Sequence, residues 1–330
     1  MQLFFHLFIL QYQKKGFHLN KKIYTILVSY NPKKDELSLA VERLKKQTDI
    51  VVICNNSDYN VEFKDKNVKV FNFKDNLGIA KAQSIGMYWA FQNGADFVLQ
   101  MDQDSEPDDN LVENLFSCYD KLTQKGYNIG LVGPQDYDKE TQKINKGRIS
   151  KGTYIEDTNY VFMNQTLSSG SLIPKKTYKK IGGMDDDLFI DAVDEEYCWR
   201  IIEANMKVVK NNDALLAHKI GEGEQNIIGS INLVISSPIR YYYQFRNVLL
   251  LSTRSYAPLY WRTSMIVKVG LKLIVFPFRV KDGQKIFGYM IKGIKDGLLR
   301  RYGRIDLSAT KKNLRNIDKD YEYYIKKGEQ

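Results

Sequence analysis

The segment FVLQMDQDS, residues Phe97–Ser105, joins a short apolar run to a pair of aspartates and carries the strongest indication of the fold. Its first part, Phe97–Met101, is short and apolar, as is typical of a buried β-strand. A helical pattern from Ile79 to about Asn93 precedes it, and another over about Asp109–Lys125 follows it. A buried strand between two helices of this length indicates right-handed βαβ units.

The same alternation of strands and helices begins at residue 23. Ile23–Tyr30 is rich in β-branched and aromatic residues and predicts a buried strand, and Asn31-Pro32 ends it and opens a helix to about Gln47. Further strands are predicted at Ile50–Cys54, Val68–Phe73 and Ile129–Val132. This alternation predicts an α/β fold with a mainly parallel central sheet.

After residue 135 the pattern changes. Asp136–Tyr160 is polar and predicts a loop or a hairpin, Leu167–Pro174 predicts a strand, and Asp194–Ala204 predicts a helix. Two short apolar runs, Val208–Val209 and Ala214–Ala217, are candidates for short strands.

The net charge of +10, from 49 Lys and Arg against 39 Asp and Glu, is concentrated in one region. Between Pro258 and Arg304 there are 11 Lys and Arg residues and 2 Asp residues, so this segment alone carries +9. The rest of the chain is nearly neutral. Basicity confined to a C-terminal region favours an anionic membrane surface, and nucleic acid is not an expected partner.

Composition narrows the class of protein further. With 43% hydrophobic residues, 22 Gly and 7 Pro, the chain can bury a substantial core, which excludes a mainly disordered or collagenous protein. Cys54, Cys118 and Cys198 are far apart and form no CxxC pair. This argues against a disulfide scaffold or a zinc ribbon and fits a reducing compartment.

Two apolar segments bear on the location of the protein. Leu3–Leu10 is too short to span a bilayer and shows no cleavage site, so we interpret it as a peripheral segment. Ser264–Phe278 is apolar but contains Lys268 and Lys272, which predicts a helix in the membrane plane with both ammonium groups at lipid phosphates. A core helix is the alternative. We expect a cytoplasmic protein, peripheral to the inner face of the cell membrane.

Asp102 and Asp104 are the strongest local indication of chemistry. Two carboxylates at i and i+2 of an extended segment point to the same side. Hard cations such as Mg²⁺ take one or two carboxylates together with phosphate oxygens. An isolated pair would more often be the acidic flank of a helix. Its place at the end of the fourth strand, where open α/β sheets bind ligands, favours a metal that bridges to a nucleotide diphosphate.

A second acidic cluster holds four acids in six residues: Asp191, Asp194, Glu195 and Glu196. It is either a solvated helix start or the position of a carboxylate general base. His218 follows a short predicted strand and, taken alone, would more often be structural than a ligand. No GxGxxG follows the first strand, which argues against a dinucleotide site, and the absence of GxxxxGK[ST] excludes a P-loop.

Several segments occur in the order that is typical of a known family. They are VSYNP (Val28–Pro32), CNNSD (Cys54–Asp58), NLGIAKA (Asn76–Ala82), QMDQDS (Gln100–Ser105), SSGSLIP (Ser168–Pro174), GGMDDDLFIDAVDEEYCWR (Gly182–Arg200) and AHKIGEG (Ala217–Gly223). In this order they resemble family 2 inverting glycosyltransferases, and RYYYQFRN (Arg240–Asn247) resembles the bacterial rhamnosyltransferase subgroup. The resemblance covers residues 22–250. It implies a GT-A fold, a nucleotide-sugar donor and a divalent cation, Mg²⁺ or Mn²⁺.

The resemblance also implies residues that bind the donor and the metal. The base and ribose would lie near Ser29, Asn31 and Asn56, and the donor would be held near its base and diphosphate by Asn76 and Gly78. Asp104 would contact the metal, Asp102 the ribose or the metal, and His218 would complete the metal site, as in some members.

Catalytic roles are implied in the same way. Asp194 matches the catalytic base. Many members have Glu-Asp where this chain has Val193-Asp194, so Asp191 remains a second candidate. Gly170, within Ser168–Ser171, would lie near the donor sugar and the acceptor.

The implied activity is that of an inverting glycosyltransferase. We expect it to move rhamnose from dTDP-rhamnose to a lipid-linked or cell-surface polysaccharide acceptor by metal-assisted single displacement. The alternatives are another nucleotide sugar, UDP-hexose or galactofuranose, and a non-catalytic module that binds a nucleotide sugar or a polyanion. The predicted organisation is an N-terminal extension (1–21), a GT-A catalytic domain (22–250) and a basic amphipathic helical region (251–330).

Overall fold

The computed structural model describes residues 21–145, 152–218, 224–228, 231–307 and 317–329. The peripheral segment predicted at Leu3–Leu10, and the N-terminal extension up to residue 20, lie outside the described residues.

Four parallel strands form one half of the central sheet. They are β1 (Ile23–Ser29), β2 (Ile50–Asn55), β3 (Val68–Asn72) and β4 (Phe97–Asp102). β1 lies between β2 and β4, and β3 pairs with β2. All seven residues of β1 are buried, as expected of a central parallel strand that is covered on both faces. The sequence predicted each of these strands to within one residue.

Helices cover both faces of this half. They are α1 (Lys34–Lys45), α2 (Ile79–Gln92) and α3 (Leu111–Gln124). α1 begins two residues after Pro32, since Lys33 is still extended. α1 and α3 pack their apolar faces on one side of the sheet, and α2 packs on the other.

The other half of the sheet is mixed. Its strands are β5 (Glu106–Pro107), β6 (Ile129–Asp138), β7 (Thr153–Tyr154), β8 (Tyr160–Met163), β9 (Leu172–Pro174) and β10 (Lys207–His218). The order across the sheet is β3-β2-β1-β4-β9-β6-β10-β8-β7, and β5 pairs with β10. β6 and β10 are parallel, whereas β9 is antiparallel to both β4 and β6.

Two predictions in this half are wrong in extent. The strand predicted at Ile129–Val132 continues to Asp138. Pro134 faces Asn211 where the register between β6 and β10 shifts, and a residue without an N–H fits such an irregular point. The same shift, between Asn211 and Leu215, separates the two runs predicted as short strands, which belong to the single strand β10.

The strand predicted at Leu167–Pro174 is also shorter in the structure, because its first part is a turn. The N–H of Ser171 donates to the carbonyl of Ser168 (3.0 Å), and Gly170 has a φ of +76°. Of the region predicted as a loop or hairpin, Asp136–Tyr160, the first three residues belong to β6, β7 lies within it, and residues 146–151 lie outside the described residues.

Helices follow in the C-terminal part. They are α4 (Lys175–Ile181), which the sequence analysis missed, α5 (Val193–Glu203), which confirms the predicted helix, α6 (Pro238–Ser252), α7 (Leu259–Arg279), α8 (Gly283–Leu298) and α9 (Ile317–Gly328). A hairpin, β11 (Glu224–Ile228) and β12 (Ile231–Val234), precedes α6. α6, α7 and α8 pack together, while α9 packs on β3 and α2. Among the described helices, none combines the length and apolar character needed to cross a bilayer.

Candidate functional site

The carboxyl ends of β1, β2 and β4 meet at one edge of the sheet. Val28 of β1 is in register with Cys54 and with Asp102, so the residues that follow these positions lie side by side. Gln103 joins two of these ends, because its Oε1 accepts from the N–H of Tyr30 (2.8 Å) and its amide donates to the carbonyl of Tyr30 (3.1 Å). This double hydrogen bond fixes the segment Asp102–Asp104, called the DxD segment below, to the end of β1. The sequence analysis gave Gln103 no role.

Asn56 holds the loop that was predicted to bind the donor. Its Oδ1 accepts from the N–H of Leu77 (3.2 Å), and its amide donates to the carbonyl of Gly78 (3.2 Å). Within the loop, Oδ1 of Asn76 accepts from the N–H of Gly78 (3.0 Å). Asn56 is buried, and its side-chain amide bonds to the backbone of the loop, so it stabilises the loop. Its contact with a nucleotide stays a prediction.

Gly78 allows this loop to approach the acidic cluster. Its φ is +82°, and a Cβ at this position would lie 2.6 Å from the ring of Phe189. The carbonyl of Phe189 also accepts from the N–H of Ala80 (3.3 Å). A side chain at residue 78 would therefore push the donor loop away from the segment that carries Asp191 and Asp194.

Ser29 and Asn31 lie at the end of β1. Ser29 is buried and its hydroxyl donates to Oδ1 of Asn55 (3.4 Å), while the N–H of Asn31 donates to the hydroxyl of Ser57 (2.8 Å). Asn31 has a φ of +47° and an exposed side chain. Of the two, only Asn31 offers its side chain to solvent, and the role of both at the base and ribose remains a prediction.

Asp102 is under electrostatic strain. Its N–H donates to the hydroxyl of Ser169 (3.2 Å), but its Oδ1 is enclosed and has no hydrogen-bond partner. Burial, and then the nearby negative charge of Asp104, raise the pKa of Asp102 to about 6. A cation bound at this carboxylate would relieve both the desolvation and the repulsion.

The charges around Asp102 show which predicted residues the fold brings together. Besides burial, its pKa is raised by Asp104 and Asp194 and lowered by His218 and Arg240. Residues from four separate segments of the chain therefore share one electrostatic environment. The structure brings together the predicted metal and base residues, and it adds Arg240, whose motif was noted without a role.

His218 is tied to the DxD segment through hydroxyl groups. Its Nδ1 lies 3.0 Å from the hydroxyl of Ser105, which accepts a hydrogen bond from the hydroxyl of Ser169 (2.9 Å). Ser169 in turn accepts from the N–H of Asp102. Ser168–Ser171, expected beside the donor sugar, thus contributes at least Ser169 to the support of the DxD segment.

The side chains of Asp102, Asp104 and His218 offer oxygen and nitrogen ligands that suit a hard or borderline divalent cation. The enclosed, unpartnered Oδ1 of Asp102 is the observation that favours a bound cation here. Within the described part of the chain, however, no three His, Cys, Asp or Glu side chains are already arranged as a metal site. Oxygen atoms of a bound diphosphate would complete the coordination.

Asp194 occupies the first turn of α5. Its Oδ1 accepts from the N–H of Glu195 (3.0 Å), and burial, opposed by such hydrogen bonds and assisted by the charge of Asp191, raises its pKa. The neighbouring Glu195 accepts from the amide of Gln165 (3.0 Å), and burial together with the charge of Asp194 raises the pKa of Glu195 to about 7. A carboxyl whose pKa is raised toward neutrality is suited to accept a proton from a hydroxyl group.

Asp191, the second candidate base, is engaged in an ion pair. Its Oδ1 lies 2.5 Å from Nη2 of Arg240. The Asp191 side chain is 13% exposed and the Arg240 side chain 45% exposed, so the arginine can also reach a ligand. A carboxylate held by a guanidinium is less available as a proton acceptor, which favours Asp194 as the base.

Known proteins share sequence with this chain. Residues 24–174 match the family described as Glycosyl transferase family 2. The dTDP-rhamnosyl transferase RfbF of Shigella flexneri is 33% identical over 253 residues, which cover 73% of this chain and 83% of the relative.

Solved structures share the fold. GalNAc-T7 with UDP, GalNAc and Mn²⁺ aligns with a TM-score of 0.55 and 13% identity. The alignment covers 86% of this chain and 56% of that one. Residues 1–349 of S. aureus TarS in complex with UDP-GlcNAc align with a TM-score of 0.53 and 14% identity, covering 84% of this chain and 81% of that one. At these identities the likeness concerns the fold alone, and it confirms the GT-A α/β architecture predicted from the sequence.

Proposed function

The chain belongs to glycosyl transferase family 2, and from this premise we propose that it transfers rhamnose from dTDP-rhamnose to a glycan or lipid-linked glycan with inversion at the anomeric carbon. Glycosyltransferase activity follows from the family. The donor is inferred from the 33% identity to a protein named dTDP-rhamnosyl transferase. The observation that carries the mechanism is the enclosed, unpartnered Oδ1 of Asp102 at the carboxyl edge of the sheet, near the charges of Asp104 and Asp194.

Asp194 is the proposed base. Inversion is a single displacement, so one group must take the proton of the acceptor hydroxyl as that oxygen attacks the anomeric carbon. The raised pKa of Asp194 makes its carboxylate a stronger base than an ordinary aspartate, and the ion pair with Arg240 keeps Asp191 from the same task.

Asp102, Asp104 and His218 would hold a divalent cation. When bound, Mg²⁺ or Mn²⁺ supplies positive charge at the diphosphate of the donor. Arg240, which forms the ion pair with Asp191, adds a permanent positive charge to the same site. The loop Asn76–Gly78, held by Asn56, would orient the nucleotide, with Ser29 and Asn31 at its base and ribose.

The structure also bears on the predicted membrane surface. Val267, Leu271, Ile274 and Phe278 of α7 are between 58% and 80% exposed and, at spacings of four, three and four, lie on one face of the helix. Of the two lysines predicted to reach lipid phosphates, Lys268 is exposed and its contact with lipid stays a prediction, whereas Lys272 donates to Oε1 of Gln244 (3.0 Å) and lies over the ring of Tyr241. The proposal that Lys272 reaches lipid is therefore wrong.

We retain the membrane proposal in a changed form. The apolar face of α7 would enter the acyl boundary, and exposed cations at and beyond its C-terminal end would meet anionic head groups. These cations are Arg279, Lys281 and Lys285. A peripheral position on the cytoplasmic leaflet would bring the site to a lipid-linked acceptor. The division into a catalytic domain (22–250) and a docking region (251–330) stays a prediction, and the docking surface proposed here is confined to α7 and the cations near its C-terminal end, because α9 packs on β3 and α2.

The alternative donor expected from the sequence is another nucleotide sugar, such as a UDP-hexose, and a test must separate it from dTDP-rhamnose. A non-catalytic module is disfavoured, because a binder of polyanions gains nothing from the carboxylates that surround Asp102.

The test is a donor panel. Release of nucleoside diphosphate would be measured from dTDP-rhamnose, UDP-glucose, UDP-galactofuranose and UDP-GlcNAc, with Mn²⁺ or Mg²⁺ and with EDTA, in the presence of a membrane extract as acceptor. We expect metal-dependent turnover of dTDP-rhamnose well above the others. Preference for a UDP-sugar would overturn the donor, and absence of turnover with every donor, in spite of donor binding, would favour the binding module.

A further inference from the structure

The segment that carries the candidate bases has an uncommon backbone. It connects the short 3₁₀ turn Asp186–Leu188 to α5. Phe189, Asp191 and Ala192 have φ angles of +66°, +68° and +62°, which place three residues with side chains in the left-handed region. Such conformations persist only where surrounding groups hold them.

Asn247 of α6 provides one such hold. Its amide lies within hydrogen-bond distance of three carbonyl groups of the segment, those of Leu188 (3.1 Å), Ile190 (2.8 Å) and Asp191 (2.9 Å). Asn247 is 1% exposed, so water does not compete for these contacts. One buried amide thereby fixes the carbonyl directions on both sides of Ile190.

Arg246 provides the second hold. Its Nη2 donates to the carbonyls of Leu188 (2.9 Å) and Asp187 (3.1 Å), and its Nε donates to Oδ1 of Asn247 (3.0 Å). The guanidinium is fully buried and lies over the rings of Tyr242 and Tyr243. A buried guanidinium that spends its donors on main-chain carbonyls fixes backbone direction, which apolar packing of the same volume would not do.

The hydrogen bonds of Arg246 also extend toward the donor loop. Arg246 also donates to the carbonyl of Gly303, whose N–H donates to the carbonyl of Asp187 (2.8 Å). The next residue, Arg304, forms an ion pair with Asp75, directly before Asn76. The base segment and the donor loop are thus joined through residues that follow α8.

We propose that Arg246 and Asn247 are positioning residues, which hold the segment Phe189–Ala192 in the backbone conformation described above and so set the place of Asp191 and Asp194 relative to the donor. This rests on the proposed function, since it assigns those carboxylates to the reaction. The RN pair that ends RYYYQFRN acts through the base segment and does not itself contact the reacting atoms.

The test compares Asn247→Ala with Val248→Ala, a matched change at the next residue of α6, which is equally buried but packs into the core. We expect Asn247→Ala to lower kcat by about 10²-fold, as misplacement of a reacting group by about 1 Å does. KM for the donor should change little, and the acid limb of the pH profile should move to lower pH as Asp194 becomes more hydrated. Val248→Ala should lower Tm and leave kcat and the pH profile unchanged.

A readout without turnover separates this inference from the proposed function. Amide hydrogen exchange of residues 188–192 should accelerate in Asn247→Ala and in Arg246→Lys, but not in Val248→Ala, even if dTDP-rhamnose proves to be the wrong donor. If Asn247→Ala fails to fold, Arg246→Lys supplies the same comparison. Equal exchange in all variants, or an unchanged kcat and pH profile in folded Asn247→Ala, would overturn the proposal.

Discussion

The hydroxyl of Ser105 lies 3.0 Å from Nδ1 of His218, across 113 residues of sequence. Because this hydroxyl already accepts a hydrogen bond from Ser169, it has a second lone pair for an N–H of the imidazole. The hydroxyl proton of Ser105 could equally be donated to Nδ1, so it is a cation at Nε2 that would select the tautomer with the proton on Nδ1 and the lone pair on Nε2. An imidazole oriented in this way is prepared to bind a cation.

Ser105→Ala should therefore weaken metal binding without removing a ligand. Loss of the group that orients a ligating histidine costs about 10–100-fold in metal affinity. Calorimetric titration of Mn²⁺ into the protein with saturating dTDP would measure it, and Ser117→Ala on α3 would serve as the control. Unchanged Mn²⁺ affinity in Ser105→Ala would show that His218 does not bind the metal.

Asp104→Ala tests the metal site itself. Asp104 is exposed and raises the pKa of Asp102, so its removal should leave the fold intact, lower that pKa and abolish the enhancement of donor binding by Mn²⁺. Binding of dTDP-rhamnose would be measured by calorimetry with Mn²⁺ and with EDTA. Asp109→Ala, at an exposed acid nearby, is the matched control. The same donor affinity in Asp104→Ala and wild type, with Mn²⁺ present, would refute the metal site.

Asp194→Asn tests the base. The change keeps the shape of the side chain and removes the proton acceptor, so donor binding should survive while kcat falls by about 10²–10⁴-fold. Single-turnover kinetics with saturating donor would separate the two effects. A kcat close to that of the wild type would transfer the role to another group.

Asp191→Asn serves as the counterpart. The charge of Asp191 raises the pKa of Asp194, so its removal should lower that pKa and move the acid limb of the kcat profile to lower pH. The ionised form of Asp194 would then be populated in more acidic solution. The Asp191→Asn variant should therefore keep activity at neutral pH. A collapse of kcat in Asp191→Asn that exceeds the loss in Asp194→Asn would identify Asp191 as the base.

The sequence located these carboxylates but not what surrounds them. Strands such as β1 and β4 follow from local apolar runs, so Asp102 and Asp104 could be placed at the end of β4 from the sequence alone. The ion pair between Asp191 and Arg240 joins residues 49 positions apart, and no local pattern encodes it. RYYYQFRN was noted as a motif, yet its contacts became visible only when α6 was packed against the base segment.

Errors in the predicted elements have a common cause. The strand predicted at Ile129–Val132 stops before Gly133-Pro134 because both residues usually interrupt a ladder, but the neighbouring strand is irregular at the same place and accommodates the proline. Lys272 is predicted to reach lipid because burying an ammonium group in an apolar run without a partner is unfavourable. In the structure Gln244 and aromatic rings are its partners instead. Both outcomes depend on the partner element, which local periodicity does not contain.

Asp186 predicts a pH dependence of stability. Burial raises the pKa of Asp186 to about 6, and its carboxylate accepts a hydrogen bond from Tyr321 of α9 (2.9 Å). Because the folded protein holds this proton more tightly than the unfolded chain, the free energy of unfolding contributed by Asp186 is greatest below about pH 4 and falls as pH rises to about 6.

Asp186→Asn should remove this contribution. The variant should be more stable than the wild type at pH 7.5 and similar to it near pH 4, as measured by the midpoint of urea unfolding. Asp58→Asn, at an exposed position, should show no such difference between the two pH values. A stability gain at pH 4 equal to that at pH 7.5 would contradict the assignment.

Membrane docking by α7 is tested by Leu271→Ser with Ile274→Ser. Both side chains are exposed, 58% and 69%, so the double change should leave Tm unchanged while removing apolar surface that would enter the acyl boundary. Full burial of one such side chain contributes about 1.5–3 kcal/mol, so even half burial of both predicts a loss of affinity of about tenfold or more.

Co-sedimentation with vesicles that contain phosphatidylglycerol would measure this affinity at low and at high salt. Binding should weaken as salt increases, because salt screens the attraction between the cations near the end of α7 and the anionic head groups. Leu39→Ser with Ile144→Ser, both 51% exposed in the wild type and remote from α7 in sequence, is the matched control and should bind as the wild type does. Equal binding of both double variants would exclude α7 as the docking surface.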